Sequence, residues 1–148
     1  MHLALKRLGV GFLLVYSGFF LESFLKQWLP AGFFFPQLDV ALLGLLALKG
    51  PLPQAVLLGM WSGILRDSLT VGPFHGWTLC LVSFSWMLAF FGQRRLGFVK
   101  KTLLFVGGLA AVHAFLFRSL PPALFMTSLV FLLGIRFLLP WLSDSASR

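Results

Sequence analysis

Three histidines, His2, His75 and His113, and one cysteine, Cys80, are the residues from which a nucleophilic or metal-dependent site would have to be assembled. Their spacing argues against both. The histidines stand far apart with no His-Glu-x-x-His pair, and a lone cysteine can neither close an intrachain disulfide nor supply a thiolate cluster. No glycine-rich loop ends in Gly-Lys-Ser/Thr, so no phosphate cradle is encoded. Cys80, in the run Leu79-Cys80-Leu81-Val82, reads as a small buried hydrophobe. His113, between alanines, reads as a neutral imidazole bonded to a neighbouring helix, with a metal or proton role as the rarer alternative. These residues predict a protein that is not an enzyme and binds no cofactor or metal.

The acidic and basic side chains inside apolar stretches carry more information. A charge in hydrocarbon costs at least about 2.5 kcal/mol at the centre of a span, so such residues face a bundle interior or an interface. Glu22, Asp39, Arg66 and Asp67 all fall near the same ends of their segments. They predict either a polar pocket open to one face or ion pairing that fixes helix ends, and the second is the more common use. Gly59-Met60-Trp61-Ser62-Gly63 is a small-xxx-small pattern that lets another helix backbone approach. Gly107-Gly108, with Ala110 and Ala111, offers a similar strip, and either could serve the bundle or a partner.

The elements that position these residues follow from hydropathy. Hydrophobic residues make up 59% of the 148 and charged residues 11%, against about 25% charged in ordinary soluble chains. Four carboxylates and twelve Lys/Arg are too few to coat a small soluble domain, so lipid must be its solvent. A spanning helix needs about 20 apolar residues, with roughly 17 tolerable where flanking side chains snorkel. Six apolar segments read as spans, at about 8–25, 33–48, 52–69, 77–91, 102–117 and 123–139; the second is short, and Pro36 restricts its start, so that part of it reads equally as an interfacial turn. Proline and glycine punctuate them at Pro30, Gly50-Pro51, Gly72-Pro73, Pro121-Pro122 and Pro140. The fold expected is an all-α, six-span membrane bundle in a single domain.

The net charge of +8 is distributed as membrane topology requires. Lys6, Arg7, Lys49, Arg94, Arg95, Lys100, Lys101 and Arg148 would lie on one side of a six-span bundle; Lys26, Arg66 and Arg118 would lie on the other. The rule that cytoplasmic loops carry the cations places both termini inside. Cations at the ends of apolar runs suit topogenic roles and anionic lipid heads, and nucleic acid is not the expected partner. The N-terminal apolar stretch lacks a small-x-small cleavage pair, since Ser17-Gly18-Phe19-Phe20-Leu21-Glu22 is too bulky, and reads as a retained helix. A multi-pass protein of a bacterial inner membrane is the expectation. Sequence leaves open whether it self-associates and whether lipid or a small ligand enters the bundle.

The central third resembles a known family. Phe35-Pro36-Gln37-Leu38-Asp39-Val40-Ala41-Leu42-Leu43-Gly44 is similar to the Pro-Asp-then-leucine helix of the rod shape-determining protein MreD family. Gly59-x3-Gly63-x3-Asp67 and then Gly72-x3-Gly76 follow, similar to that family's Gly-x3-Gly-x3-Asp-Leu segment and glycine turn. The match covers about residues 33 to 95. It departs at Leu38, where proline is usual, and at Ser68, where leucine is usual. The resemblance implies a six-helix fold like the S-components of vitamin transporters. It also implies a non-enzymatic subunit of the cell-wall elongation machinery, scaffolding MreC and regulating peptidoglycan synthesis. Through MreC such a subunit joins MreB and the RodA and penicillin-binding-protein synthase. The alternative is a substrate-binding membrane subunit of a vitamin-type transporter, motivated by the grouped Glu22, Asp39, Arg66 and Asp67.

Overall fold

The computed structural model describes residues 2–28, 36–69, 76–94, 97–117 and 122–144. They form six α-helices and, among the described residues, no strand: α1 His2–Trp28, α2 Leu38–Lys49, α3 Leu52–Leu69, α4 Gly76–Gly92, α5 Phe98–Phe117 and α6 Pro122–Asp144. Two stretches, Leu8–Trp28 of α1 and Phe98–Leu116 of α5, are long and apolar enough to cross a membrane.

Local chemistry sets most of the helix ends. Pro51 and Pro53 flank the start of α3, where a missing N–H leaves no bond unmade; the Ala55 N–H bonds the Pro51 carbonyl at 3.1 Å. The α2 end is closed by the Gly50 N–H on the Leu46 carbonyl at 2.8 Å. Pro122 opens α6 in the position that suits proline best. Four boundaries differ from the hydropathy reading. The first helix runs from His2 to Trp28, because Lys6 and Arg7 are good helix formers and carry the helix through its charged start. The second begins at Leu38, since Pro36 lacks the backbone donor that a helix running through it would need. The fifth begins at Phe98 and so includes Lys100 and Lys101. The sixth passes through Pro140 and ends at Asp144; a proline removes one backbone bond without forcing a stop when the next turns re-form.

Side-chain contacts fix an up-and-down arrangement. A Cβ at Gly11 of α1 would meet Leu58 and Gln54 of α3, and one at Gly92 of α4 would meet Leu48 of α2. These contacts bring the starts of α1 and α3 to the ends of α2 and α4. At the opposite end, Glu22 of α1 and Asp39 of α2 meet Arg66 of α3. There too, Trp77 of α4 meets His113 of α5, and Thr127 of α6 meets Gln37.

The short α2 is the centre of the bundle, packed against α1, α3, α4 and α6. Its 12 residues rise only about 18 Å at 1.5 Å each. Val40, Ala41, Leu43, Leu45, Ala47 and Leu48 are all buried. Gly44 lets the stacked rings of Phe105 (α5) and Phe131 (α6) lie against its backbone. The outer helices present apolar surface instead: Leu13, Phe20 and Trp28 on α1, Leu103 and Phe115 on α5, and Phe125 and Phe137 on α6 are exposed. Surfaces of this kind mark contact with a membrane or a protein partner.

Candidate functional site

The polar end of the bundle is built from two faces of α3. Residues four apart on a helix lie one above the other, whereas adjacent residues do not face the same way. Ser62 and Arg66 form one row; Gly59, Gly63 and Asp67 form the next.

The Ser62–Arg66 row meets Asp39 at the start of α2. The Arg66 Nε donates to Asp39 Oδ2 at 3.0 Å, and its Nη2 donates to Asp39 Oδ1. This two-pronged pairing is the strongest geometry available to a guanidinium and a carboxylate. Ser62 Oγ donates to Asp39 Oδ2 at 2.8 Å. The same Arg66 Nη2 donates to Glu22 Oε2 of α1 at 3.0 Å. Lys26, one turn further along α1, donates to Glu22 Oε1 at 2.5 Å. Asp39 is fully buried, and the side chains of Glu22 and Arg66 are 4% and 10% exposed. Two carboxylates and two cations make the group neutral as a set, which lets it lie inside the protein. The indole of Trp77 lies 5.1 Å from the Arg66 guanidinium carbon, adding a cation–π contact.

The second row faces α4. Gly59 and Gly63 carry no side chain because there is no space for one. A Cβ at Gly59 would lie 2.7 Å from the Leu81 carbonyl oxygen and against Ser85. One at Gly63 would lie 2.8 Å from the Thr78 backbone nitrogen. One turn on, Asp67 accepts the Trp77 N–H at 3.0 Å, the Thr78 N–H at 3.0 Å and the Thr78 hydroxyl at 2.6 Å. The first N–H groups of a helix have no partner within it, so Asp67 caps α4 from the neighbouring helix. Its negative charge also lies at the positive end of the α4 dipole.

A second polar cluster adjoins the first. Gln37, just before α2, donates its backbone N–H to Thr127 Oγ1 at 2.8 Å. The Thr127 hydroxyl in turn donates a hydrogen bond to the Ala123 carbonyl at 2.7 Å. The Gln37 amide nitrogen lies 3.1 Å from His113 Nε2, and His113 Nδ1 lies 3.0 Å from the Leu109 carbonyl. A carbonyl only accepts, so Nδ1 carries the imidazole proton and Nε2 accepts from the amide. Trp77 meets the His113 ring edge-on.

The sequence-predicted residues are therefore divided. Glu22, Asp39 and Arg66 are brought together; Asp67 is turned away from them to cap α4. The pocket reading of these four requires polar groups left over for a ligand, and each of the four is engaged within the bundle. Gly59 and Gly63 are occupied by α4, so that strip is not a surface for another chain. The Gly107-Gly108 strip splits. A Cβ at Gly108 would meet Met87 and Phe84 of α4, whereas Gly107 is exposed with nothing within 4 Å. Gly76 is buried at the start of α4, while Gly72, His75, Arg95, Arg118 and Arg148 lie outside the described residues. Lys6, Lys49, Arg94 and Lys100 are exposed at the opposite end and Lys101 is partly so; the side chain of Arg7 lies outside the described set.

Ser62, Gln37 and Thr127 were not singled out from sequence. Ser62 carries a signal in its position one turn before Arg66; Gln37 and Thr127 are 90 residues apart and carry none. Among the described residues no group of three or more His, Cys, Asp or Glu could hold a metal. A half-open cavity of about 290 Å³ lies between α1, α2 and α6, walled by Leu14, Leu21, Leu42, Leu45 and Val130. Its lining is apolar and does not include the charged cluster. Comparison with protein-family models, curated proteins and solved structures gives no match to this chain.

Proposed function

We propose that this chain is a six-span inner-membrane subunit of the MreD type, with both termini in the cytoplasm. On this reading it is not an enzyme. It holds the single-span protein MreC and, through it, joins MreB and the RodA and penicillin-binding-protein synthase to guide lateral peptidoglycan synthesis. One observation carries the reading. The residues that bear the resemblance, Asp39, Gly59, Gly63 and Asp67, are the contacts that lock α2, α3 and α4 together. An ordered motif spread over two helices, α2 and α3, thus has one physical job, which is what a family signature of a fold should encode.

Other features agree with it. Unlike charges are paired inside the bundle, apolar side chains face outward, and exposed cations gather at the end that the positive-inside rule assigns to the cytoplasm. The links between helices are too short for an extramembrane domain, so the work falls to helix surfaces and loops. Because α4 covers Gly59 and Gly63, a partner's helix would meet an outer face, such as that of α5 around Gly107. The transporter reading was motivated by Glu22, Asp39, Arg66 and Asp67, and these satisfy one another or the backbone.

The test is a pull-down of the tagged full chain from native membranes of a rod-shaped host, with partners identified by mass spectrometry. Recovery of an MreC-like chain, and rounding of cells when the gene is deleted, are expected. Recovery of an ATPase module with a retained small molecule would overturn the proposal in favour of transport. Reporter fusions that place the two termini on opposite sides would overturn the six-span topology.

A further inference from the structure

The corner between α4 and α5 has a chemistry that the bundle itself does not use. Arg94, Lys100 and Lys101 stand there within eight residues, and none has an ion pair among the described residues. At the other end of the bundle, the described cations Lys26 and Arg66 are both paired. The turn after α4 is set by the Gln93 N–H on the Ala89 carbonyl and the Arg94 N–H on the Phe91 carbonyl. It lays the Arg94 guanidinium 5.1 Å from the Phe90 ring centre and 5.7 Å from that of Phe91. The first turns of α5 add Phe98, Val99 and Leu103, each more than half exposed. No acidic residue stands in that first turn, although two lysines there oppose the helix dipole. The corner therefore combines unneutralised positive charge with exposed hydrocarbon immediately beside it.

We propose that this corner is a docking surface for an anionic phospholipid, its phosphate held by Arg94, Lys100 and Lys101 and its acyl chains against Phe90, Phe98 and Leu103. The inference rests on the membrane reading above. The two-part chemistry selects the occupant. A free phosphate or a nucleic acid would satisfy the cations without engaging the apolar side chains beside them, and a neutral lipid would do the reverse. Lysine and arginine side chains snorkel naturally from apolar surface to a headgroup layer.

The test is native mass spectrometry of the full-length protein in detergent, titrated with phosphatidylglycerol and with phosphatidylcholine of matched chains. Preference for phosphatidylglycerol is expected. Lys100→Gln should lower it roughly fivefold, and the Arg94→Gln/Lys100→Gln/Lys101→Gln variant on the order of a hundredfold. Lys26→Gln removes one charge at the other end and should leave the preference unchanged. Equal binding of the two lipids, or a triple variant that keeps the preference, would overturn the proposal. So would competition by glycerol phosphate as effective as that by the whole lipid. Stable insertion into phosphatidylcholine vesicles separates the two claims: a chain that inserts without preference refutes only this site, and one that stays dispersed in water refutes the membrane reading beneath it.

Discussion

At one end of the bundle, charge is turned inward and neutralised; at the other it is turned outward and left for the surroundings. Glu22, Asp39, Arg66 and Lys26 form a closed set that ties α1, α2 and α3, with the Gln37–His113–Thr127 cluster beside it. Lys6, Arg94, Lys100 and Lys101 have no ion pair among the described residues. The core beneath that second end is hydrocarbon: Leu48, Leu58, Leu88, Ala89 and Phe105 are buried there or in the middle. The contrast teaches how a charge-poor sequence can use its charges twice. Buried pairs specify which helices meet, because a carboxylate without its cation is costly inside a bundle. On the membrane reading proposed above, exposed cations would specify which way the bundle faces, because they prefer the side with anionic lipid.

If the contrast is real, substitutions at the two ends must differ in size. Arg66→Ala strands Asp39 and Glu22 together and should cost about 3–5 kcal/mol in unfolding from detergent micelles. Arg66→Lys should recover only part, since an ammonium cannot make the two-pronged pair. A variant with wild-type stability would mean that the pair is not formed. Gly63→Ala forces α3 away from the Thr78 backbone and should cost about 1–3 kcal/mol in the same assay. Gly107→Ala meets open space and should instead stabilise by up to about 1 kcal/mol. Reversal of that order would show that α4 does not cover the α3 strip. Asp67→Ala uncaps α4 for about 1 kcal/mol, and amide exchange at Trp77 and Thr78 should rise. Lys100→Gln with Lys101→Gln should change stability by no more than about 0.5 kcal/mol.

Hydropathy and punctuation carried most of the helix map, because proline and glycine act locally. The start of α3 at Leu52 follows Pro51, as the proline dictates. The ends of α1 and α6 were less legible. Lys6 and Arg7 look like a terminus in hydropathy yet favour helix, and Pro140 marks a weakened bond that the chain passes over. The grouping of Glu22, Asp39 and Arg66 at one end was readable from position alone. That Asp39 takes Arg66, while Asp67 turns to α4, was not. Arg66 and Asp67 are neighbours in sequence but point about 100° apart on a helix, and which face meets which helix is a property of packing. The same packing decided that Gly59 and Gly63 serve α4. Their spacing announced a close approach and left its partner open. The bond from Gln37 to Thr127 joins residues with no local relation, so only the assembled bundle reveals it.

The pairing of Asp39 with Arg66 is the joint on which the arrangement of α2 against α3 depends, and a double-mutant cycle measures it directly. Unfolding free energies are needed for the wild type, Asp39→Ala, Arg66→Ala and the double variant. The predicted result is strong coupling, up to about 3 kcal/mol, so that removing Arg66 costs far less once Asp39 is gone. Additive losses within about 0.5 kcal/mol would mean that the two side chains do not meet, and the account of the polar end would fail with them.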